Sequence, residues 1–218
     1  MEFRLLLLDG IPWIISELGK QVLILEPKVK EGHLEKIHRI YQILDKENDP
    51  IISDIVPAYT SIAIYFSASK EKTLSYLKLL DFSKLKSNTS ITKVVDVHYN
   101  NGLDWENVLA KTGLSKSEII EKHSSPVYTV AMIGFIPGFI FLDGLMPELA
   151  ISRLNTPRTK IPAGSIGIGG NQTGIYSLES PGGWNIIGST NQQCFDIKNQ
   201  PPISVSPGDK MKFNPILD

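Results

Sequence analysis

Apolar residues arrive in short runs along most of this chain, and their spacing changes character twice. Phe3 to Leu8 and Trp13 to Leu18 flank Asp9-Gly10 and are consistent with strands, and Gln21 to Leu25 reads as a third strand or a continuation. From Lys28 to Leu44 the period becomes helical: Leu34, Ile37, Tyr41 and Leu44 recur at i, i+3, i+7 and i+10, one stripe of an amphipathic helix. Asp49-Pro50 signals a turn. Ile51 to Val56 then reads as a strand, and so does Ser61 to Phe66, where Ile62, Ile64 and Phe66 alternate with Ala63 and Tyr65. Ser69 is placed to cap a helix from Lys70 to Leu80 whose Leu74, Leu77 and Leu80 share a face. Lys84 to Thr89 is polar and reads as a linker, and Thr92 to His98 as one more strand. The order βαββαβ, decorated at its start, predicts a small ferredoxin-like α+β domain over residues 1–89.

Asn100 to His123 joins the halves, within the second region, residues 90–218. Asp104 is a candidate N-cap for Trp105 to Lys111, with Gly113 as the C′ residue. Ser115 and Glu118 form the S-x-x-E capping box of a short helix that ends at His123-Ser124-Ser125-Pro126. Beyond it, 11 of the 17 glycines fall between Gly134 and Gly188. Between them lie short apolar runs, Phe139 to Leu142, Ser165 to Ile168, Ile175 to Leu178 and Trp184 to Ile187. Short strands separated by tight turns predict a barrel or sandwich with one face open to a ligand.

Composition narrows the function classes. At 218 residues, 42% hydrophobic and 21% charged, with a formal net charge of −1, the chain has the make-up of a globular protein with no footprint for nucleic acid or an anionic membrane. The longest apolar runs are far shorter than a membrane span, and the N-terminal run does not read as a secretory signal. The single cysteine, Cys194, excludes an intrachain disulfide, and no His/Cys/carboxylate cluster has metal-ligand spacing. A cytoplasmic protein without a metal is the expectation. His33 and His38 sit among charged neighbours and read as solvated face residues. His123, at a helix C-terminus, reads by position as structural rather than chemical.

Among motifs, Gly167 to Gly174 invites comparison with phosphate-binding loops. No Gly-Lys-Ser/Thr closes it and a strand rather than a helix follows, so it is neither a Walker A loop nor a Rossmann fingerprint. A backbone anion nest and a tight β-turn both stand as readings. Trp184, after Pro181-Gly182-Gly183, reads equally as barrel core or ligand wall. Ser165 and Ser180 lie in turns with no G-x-S-x-G elbow, which argues against a serine hydrolase.

Three stretches carry a resemblance: Gly134 to Leu145 (GFIPGFIFLDGL), Thr156 to Gly188 (TPRTKIPAGSIGIGGNQTGIYSLESPGGWNIIG) and Ser206 to Asp209 (SPGD). They resemble the family of the B-type subunit of the bacterial ATP-dependent 5-oxoprolinase. That family was long labelled the first allophanate hydrolase subunit, includes a Kip-type inhibitor of a sporulation histidine kinase, and is similar to part of the carboxyltransferase region of urea carboxylase. The likeness is strong from about Val97 onward, and earlier Asp54 to Tyr59 is its clearest anchor. The resemblance implies a cyclophilin-like β-barrel after the α+β domain. It also implies a complex that opens 5-oxoproline to glutamate with ATP. In that complex this chain and a homologous C-type partner bind and activate the lactam, an A-type partner completes ring opening, and this chain alone is inactive. An inhibitor that holds a segment of a sensor kinase is the alternative.

Site residues follow from the resemblance in the same way. His123 stands where the family has histidine and would shuttle a proton or bind the substrate carboxylate; Arg158 in Thr-Pro-Arg would make a bidentate carboxylate or phosphate contact; Glu179 would be the carboxylate of the cluster. Phe135, Pro137, Gly138 and Phe139 would shape an apolar wall. Pro162, Ala163, Gly164 and Ser165 would offer backbone N–H groups and a hydroxyl, while Gln172, Thr173 and Tyr176 would supply hydrogen bonds. Ser180, Gly182, Gly183 and Trp184 would complete the substrate side. Three departures stand out: Ser152-Arg153 where the family has Pro-Arg, Gly188-Ser189-Thr190 where it has Gly-Arg-Thr, and Asp9 to Trp13 where it has Gly-Asp-x-Ala.

Overall fold

Asp9 and Gly10 join two strands in the tightest way the backbone allows. Both have positive φ, 51° and 71°, and Leu8 pairs with Ile11 across them, the geometry of a two-residue primed hairpin turn. The computed structural model that shows this describes residues 4–85 and 92–216. Phe3 and most of the expected Lys84–Thr89 linker lie outside the described residues. The chain divides into two compact units, Met1–Thr89 and Ser90–Asp218.

The first unit is one antiparallel sheet under two helices. Its elements are β1 (Arg4–Leu8), β2 (Ile11–Glu17), β3 (Val22–Pro27), α1 (His33–Glu47), β4 (Ile52–Pro57), β5 (Ile62–Phe66) and α2 (Lys70–Lys78), and the sheet order is β1-β2-β3-β5-β4. Alternation holds where it was read: Ile62, Ile64 and Phe66 are buried and Tyr65 is exposed. Ser69 caps α2 by accepting from the Lys72 N–H at 3.3 Å. Two expectations need correction. The βαββαβ order is not completed by Thr92–His98, because the N-terminal hairpin occupies the place beside β3 and Thr92–His98 joins the barrel of the second unit. His38 is buried, 6% exposed, because the inner stripe of α1 runs through Ile37, Ile40 and Leu44, while Leu34 and Tyr41 are only partly covered.

The second unit is a mixed α+β body around a closed barrel. It contains β6 (Thr92–His98), α3 (Trp105–Thr112), α4 (Lys116–Ser124), β7 (Tyr128–Ile133), β8 (Ile140–Asp143), β9 (Arg158–Ile161), β10 (Ser165–Gly169), β11 (Gln172–Ile175), β12 (Ser180–Gly182), β13 (Asn185–Ser189) and β14 (Lys210–Ile216). Seven strands close in the order β10-β11-β8-β7-β14-β6-β13, with β13 pairing back to β10; β9 and β12 form a separate ribbon. β6 runs parallel to β14 from Thr92↔Lys210 to His98↔Ile216. Val97, Val130, Leu142, Ile168 and Phe213 fill the barrel, and Val108 of α3 and Ile119 of α4 join the same core. Gly113 ends α3 at φ 70°, and the Ser115/Glu118 capping box starts α4. Among the described residues no helix is long and apolar enough to cross a membrane.

Candidate active site

Strand alternation sorts the glycine-rich segment into two faces. In β10, Ile166 and Ile168 point into the barrel core, and Gly167 and Gly169 lie on its outer face; in β11, Thr173 and Ile175 are inside and Gly174 outside. The outer glycines form a platform free of side chains, and aromatic rings rest directly on it. A Cβ on Gly169 would stand 2.6 Å from the Trp184 ring, and one on Gly174 would stand 3.1 Å from the Phe139 ring. Close approach is thus the reason for these glycines. The loop between β10 and β11 is a two-residue hairpin in which Gly170 has φ 68° and donates its N–H to the Ile151 carbonyl at 2.7 Å. Of the two readings of this loop, the geometry is that of the tight turn.

On the platform stands a second, smaller apolar cluster of Phe139, Ile161, Tyr176, Trp184 and Ile186, with Phe141 packed against it. Phe139 is its hub: its ring centroid lies 4.5 Å from Phe141, 4.8 Å from Tyr176 and 5.4 Å from Trp184, the last two edge-to-face. These rings floor an open cleft of about 270 Å³. Phe135 stands at its lip, 63% exposed, with φ 68°. The Ile136 N–H donates to the Gly134 carbonyl at 2.8 Å, closing a γ-turn about Phe135 of the rare positive-φ kind. A bulky side chain held in that region stores strain, which is characteristic of ligand-contacting positions.

The rim supplies charge. The Arg153 guanidinium sits 5.9 Å from the Trp184 ring centroid and lines the cleft without an acidic partner among the described residues. Stacking on a ring leaves the edge N–H groups of an arginine directed outward for a carboxylate. The Tyr176 hydroxyl faces the Trp184 backbone N–H and the Arg153 and Arg158 charges; burial pushes its pKa up, and those three neighbours partly offset the rise. Ser180, in β12, has a buried hydroxyl with no hydrogen-bond partner among the described residues. An apolar floor under a cationic rim suits a small flat ring that bears an anionic group.

Six of the residues expected at a substrate site line this cleft: Phe135, Phe139, Tyr176, Gly182, Gly183 and Trp184. Pro137 and Gly138 lie in the loop leading to it, where the Pro137 carbonyl accepts from Ser177 Oγ at 2.6 Å. Arg158 is otherwise engaged: it makes a bidentate ion pair with Asp104, Nη1 to Oδ2 at 2.9 Å and Nη2 to Oδ1. Asp104 Oδ2 also accepts the Ile186 N–H at 2.7 Å, so its carboxylate ties α3, β9 and β13 together rather than capping α3. Glu179 is exposed and pairs with Lys160 at 2.9 Å. Ala163 is exposed in the turn before β10, and the Gly164 and Ser165 N–H groups donate to the Tyr176 and Pro162 carbonyls. Gln172 opens β11, half-buried.

His123 and Thr173 are elsewhere. The imidazole is fully buried in the barrel core, stacked on Phe213 at 4.6 Å. Nδ1 lies 2.7 Å from the Tyr99 hydroxyl and Nε2 lies 2.8 Å from Thr173 Oγ1. Thr173 Oγ1 spends its own proton on the Gly167 carbonyl at 3.0 Å. It must therefore accept from Nε2–H, which leaves Nδ1 to accept from Tyr99. The chain of bonds is closed, the ring is neutral, and burial lowers its pKa to about 3. Burial likewise raises the Tyr99 and Tyr128 hydroxyls. Among the described residues no group of three His, Cys, Asp or Glu side chains is placed to hold a metal.

Sequence reasoning missed Arg153, Phe141 and the role of Asp104. Phe141 was readable as the outward residue between Ile140 and Leu142. Arg153 was visible only as a departure in a motif, and nothing local announces its stacking on Trp184.

Known proteins share this architecture and much of the sequence. The family model for the carboxyltransferase domain, subdomains C and D, matches residues 13–205. The chain is 35% identical over 200 residues to the B-type 5-oxoprolinase subunit of Escherichia coli O157:H7, covering 89% of this chain and 91% of that one. It is 30% identical over 218 residues to the B-type 5-oxoprolinase subunit of Bacillus subtilis strain 168, covering 91% of each. The solved protein TTHA0988 superposes with a TM-score of 0.81 at 31% identity; the match covers 91% of this chain and 41% of that one, so this chain spans less than half of the longer protein.

Proposed function

This chain belongs to the carboxyltransferase domain family, subdomains C and D, and on that premise we propose that it is one component of an ATP-dependent 5-oxoprolinase complex whose lactam substrate sits in the Trp184 cleft. The observation that carries the reading is the end-to-end likeness to the B-type 5-oxoprolinase subunit, 89% of this chain against 91% of the relative. The cleft supports it chemically. 5-Oxoproline is a flat five-membered ring with one carboxylate, and Phe139, Tyr176 and Trp184 offer faces for the ring while Arg153 offers a fork for the carboxylate.

The lactam is unstrained and its amide resonance makes it a poor electrophile. Transfer of the γ-phosphoryl group of ATP to the lactam oxygen releases ADP and converts that oxygen into a leaving group. Water then adds to the carbon, the C–N bond opens as the nitrogen takes up a proton, and a second water hydrolyses the resulting acyl phosphate to glutamate and phosphate. Such chemistry rests on positioning and charge neutralisation rather than on a protein nucleophile. That demand accords with a cleft holding no nucleophile–base pair in hydrogen-bond reach among the described residues. Here this chain holds the ring, a homologous C-type partner completes the activation site with it, and an A-type partner finishes ring opening, so the chain alone is inactive. The barrel takes the cyclophilin-like part. A kinase-inhibitor role is not favoured, since the relatives matched end to end carry the 5-oxoprolinase name.

The test is reconstitution. This chain is co-purified with the A-type and C-type partners of its source, and glutamate release from 5-oxoproline is followed with and without ATP. ATP-dependent glutamate is the expected result; an assembled complex that forms none counts against 5-oxoproline as substrate.

A further inference from the structure

A second cavity, about 450 Å³, lies on the other side of the segment 152–158 from the aromatic cleft, and its chemistry is opposite. Arg153 and Pro157 of this segment line the cleft, whereas Ser152, Asn155 and Thr156 line the groove. The far wall is α3, from which Asn107 and Lys111 project one turn apart. The segment is a fixed partition. The Leu154 N–H donates to the Gly183 carbonyl at 2.7 Å, and buried Asn185 donates to the Ser152 carbonyl at 3.0 Å while accepting from Asn107 at 2.5 Å.

The charges that line the groove are Lys111 and Arg158, and among the described residues no acidic side chain lines it. Asp104 lies behind Arg158, 6% exposed, and takes two of its five N–H donors, which locks the guanidinium in place and leaves three for another acceptor. Lys111 makes long contacts to Ser152, 3.4 Å to its carbonyl and 3.2 Å to Oγ, and those are readily exchanged for an anion. Asn155 and Thr156 add an amide and a hydroxyl to the lining. A rigid groove with a fixed guanidinium, a loosely held ammonium, amide and hydroxyl donors and no carboxylate among its described lining residues is built for an oxyanion with several oxygens, that is, a phosphoryl or polyphosphoryl group.

We propose that this groove is a phosphate-binding subsite that holds a phosphoryl-bearing ligand alongside the aromatic cleft, with Lys111 and Arg158 as its cationic contacts. The assignment rests on the oxoprolinase reading only for the identity of that ligand, ATP or the phosphorylated lactam; the site itself is argued from the groove.

The experiment is a ¹H–¹⁵N NMR titration of the full chain with sodium pyrophosphate, ATP and inorganic phosphate in separate arms, following the Asn107 and Asn155 side-chain amides and the Thr156 backbone amide. Saturable shifts at these three groups are expected, weakening as salt is raised and about tenfold weaker in Lys111→Gln. Asn155→Asp, which places a carboxylate in the groove, should weaken binding as well. Saturation by inorganic phosphate as tight as by pyrophosphate assigns a single phosphoryl group; a preference for pyrophosphate and ATP assigns a polyphosphate. Shifts absent from the groove, or unchanged by both substitutions, overturn the proposal. A parallel titration with 5-oxoproline, read at the Trp184 indole N–H, separates the two claims. Its shift with a silent groove leaves the cleft reading standing and this inference refuted, and a responsive groove with a silent Trp184 does the reverse.

Discussion

The inner and outer faces of β8, β10 and β11 carry the same stretch of sequence to opposite fates. Inside the barrel, Thr173 meets His123 and Tyr99 in a polar chain that is fully bonded and sealed from water. Outside, the intervening glycines are covered by Phe139 and Trp184, and those rings floor an open cleft with Arg153 above it, an arginine that has no acidic partner among the described residues. Both faces combine aromatic rings with polar groups, so composition does not distinguish them. Satisfaction does: the inner network has spent its donors and acceptors, and the outer one keeps a cation and a strained phenylalanine facing solvent. A closed buried network rigidifies a core, and an open one binds.

The largest effect that tests this division concerns Arg158. If its guanidinium is locked in place by Asp104, Arg158→Ala leaves a carboxylate buried without its cation and lowers unfolding free energy by about 3–5 kcal/mol, measured by chemical denaturation. A loss below about 1 kcal/mol, the range of exposed ion pairs, would mean that Asp104 does not hold the guanidinium in place. Next comes the platform. Gly169→Ala drives a methyl group into the Trp184 ring, 2.6 Å away. The expected cost is about 1–3 kcal/mol, with a displaced Trp184 indole resonance; an unchanged indole would mean that the ring does not rest on the sheet.

The inner face is tested by pH. Burial lowers the His123 pKa from 6.5 to about 3. Below pH 6.5 the unfolded chain takes up a proton that the folded chain refuses, so this residue makes stability fall as pH drops from 6.5 toward 3, by about 1.4 kcal/mol per pH unit. Above 6.5 it contributes no slope. His123→Gln should flatten the acid limb relative to the parent chain; identical slopes would show an imidazole open to solvent in the native state.

What the sequence displayed of this arrangement followed from local chemistry. The strands on either side of Asp9-Gly10, the alternating Ile62–Phe66 strand and the Ser115/Glu118 capping box are each set by residues a few positions apart, and each formed as read. Thr92–His98 was legible as a strand, but its partner is β14 at the far end of the chain, and parallel pairing leaves no turn between them to read. Asp104 looked like a cap because capping is local; the carboxylate went instead to Arg158 and the Ile186 N–H, tertiary partners that a window of sequence does not contain. His38 was misplaced by helical phase, since its neighbours Ile37 and Ile40 turn that side inward. At the site, the glycines and Trp184 were conspicuous, yet the period-two alternation that sends Thr173 inward and Gly174 outward separates residues that stand side by side in the motif.

The central claim is that substrate binds on the outer face, at Arg153 and Trp184, and not at His123. The most direct measurement is the 5-oxoproline KM of the assembled complex carrying Arg153→Ala or His123→Gln, each checked for assembly and fold. The account predicts that Arg153→Ala raises KM by about tenfold or more, the loss of a charged hydrogen-bond pair, while His123→Gln leaves KM within about twofold. A KM unmoved by Arg153→Ala and raised by His123→Gln in a folded complex would contradict it.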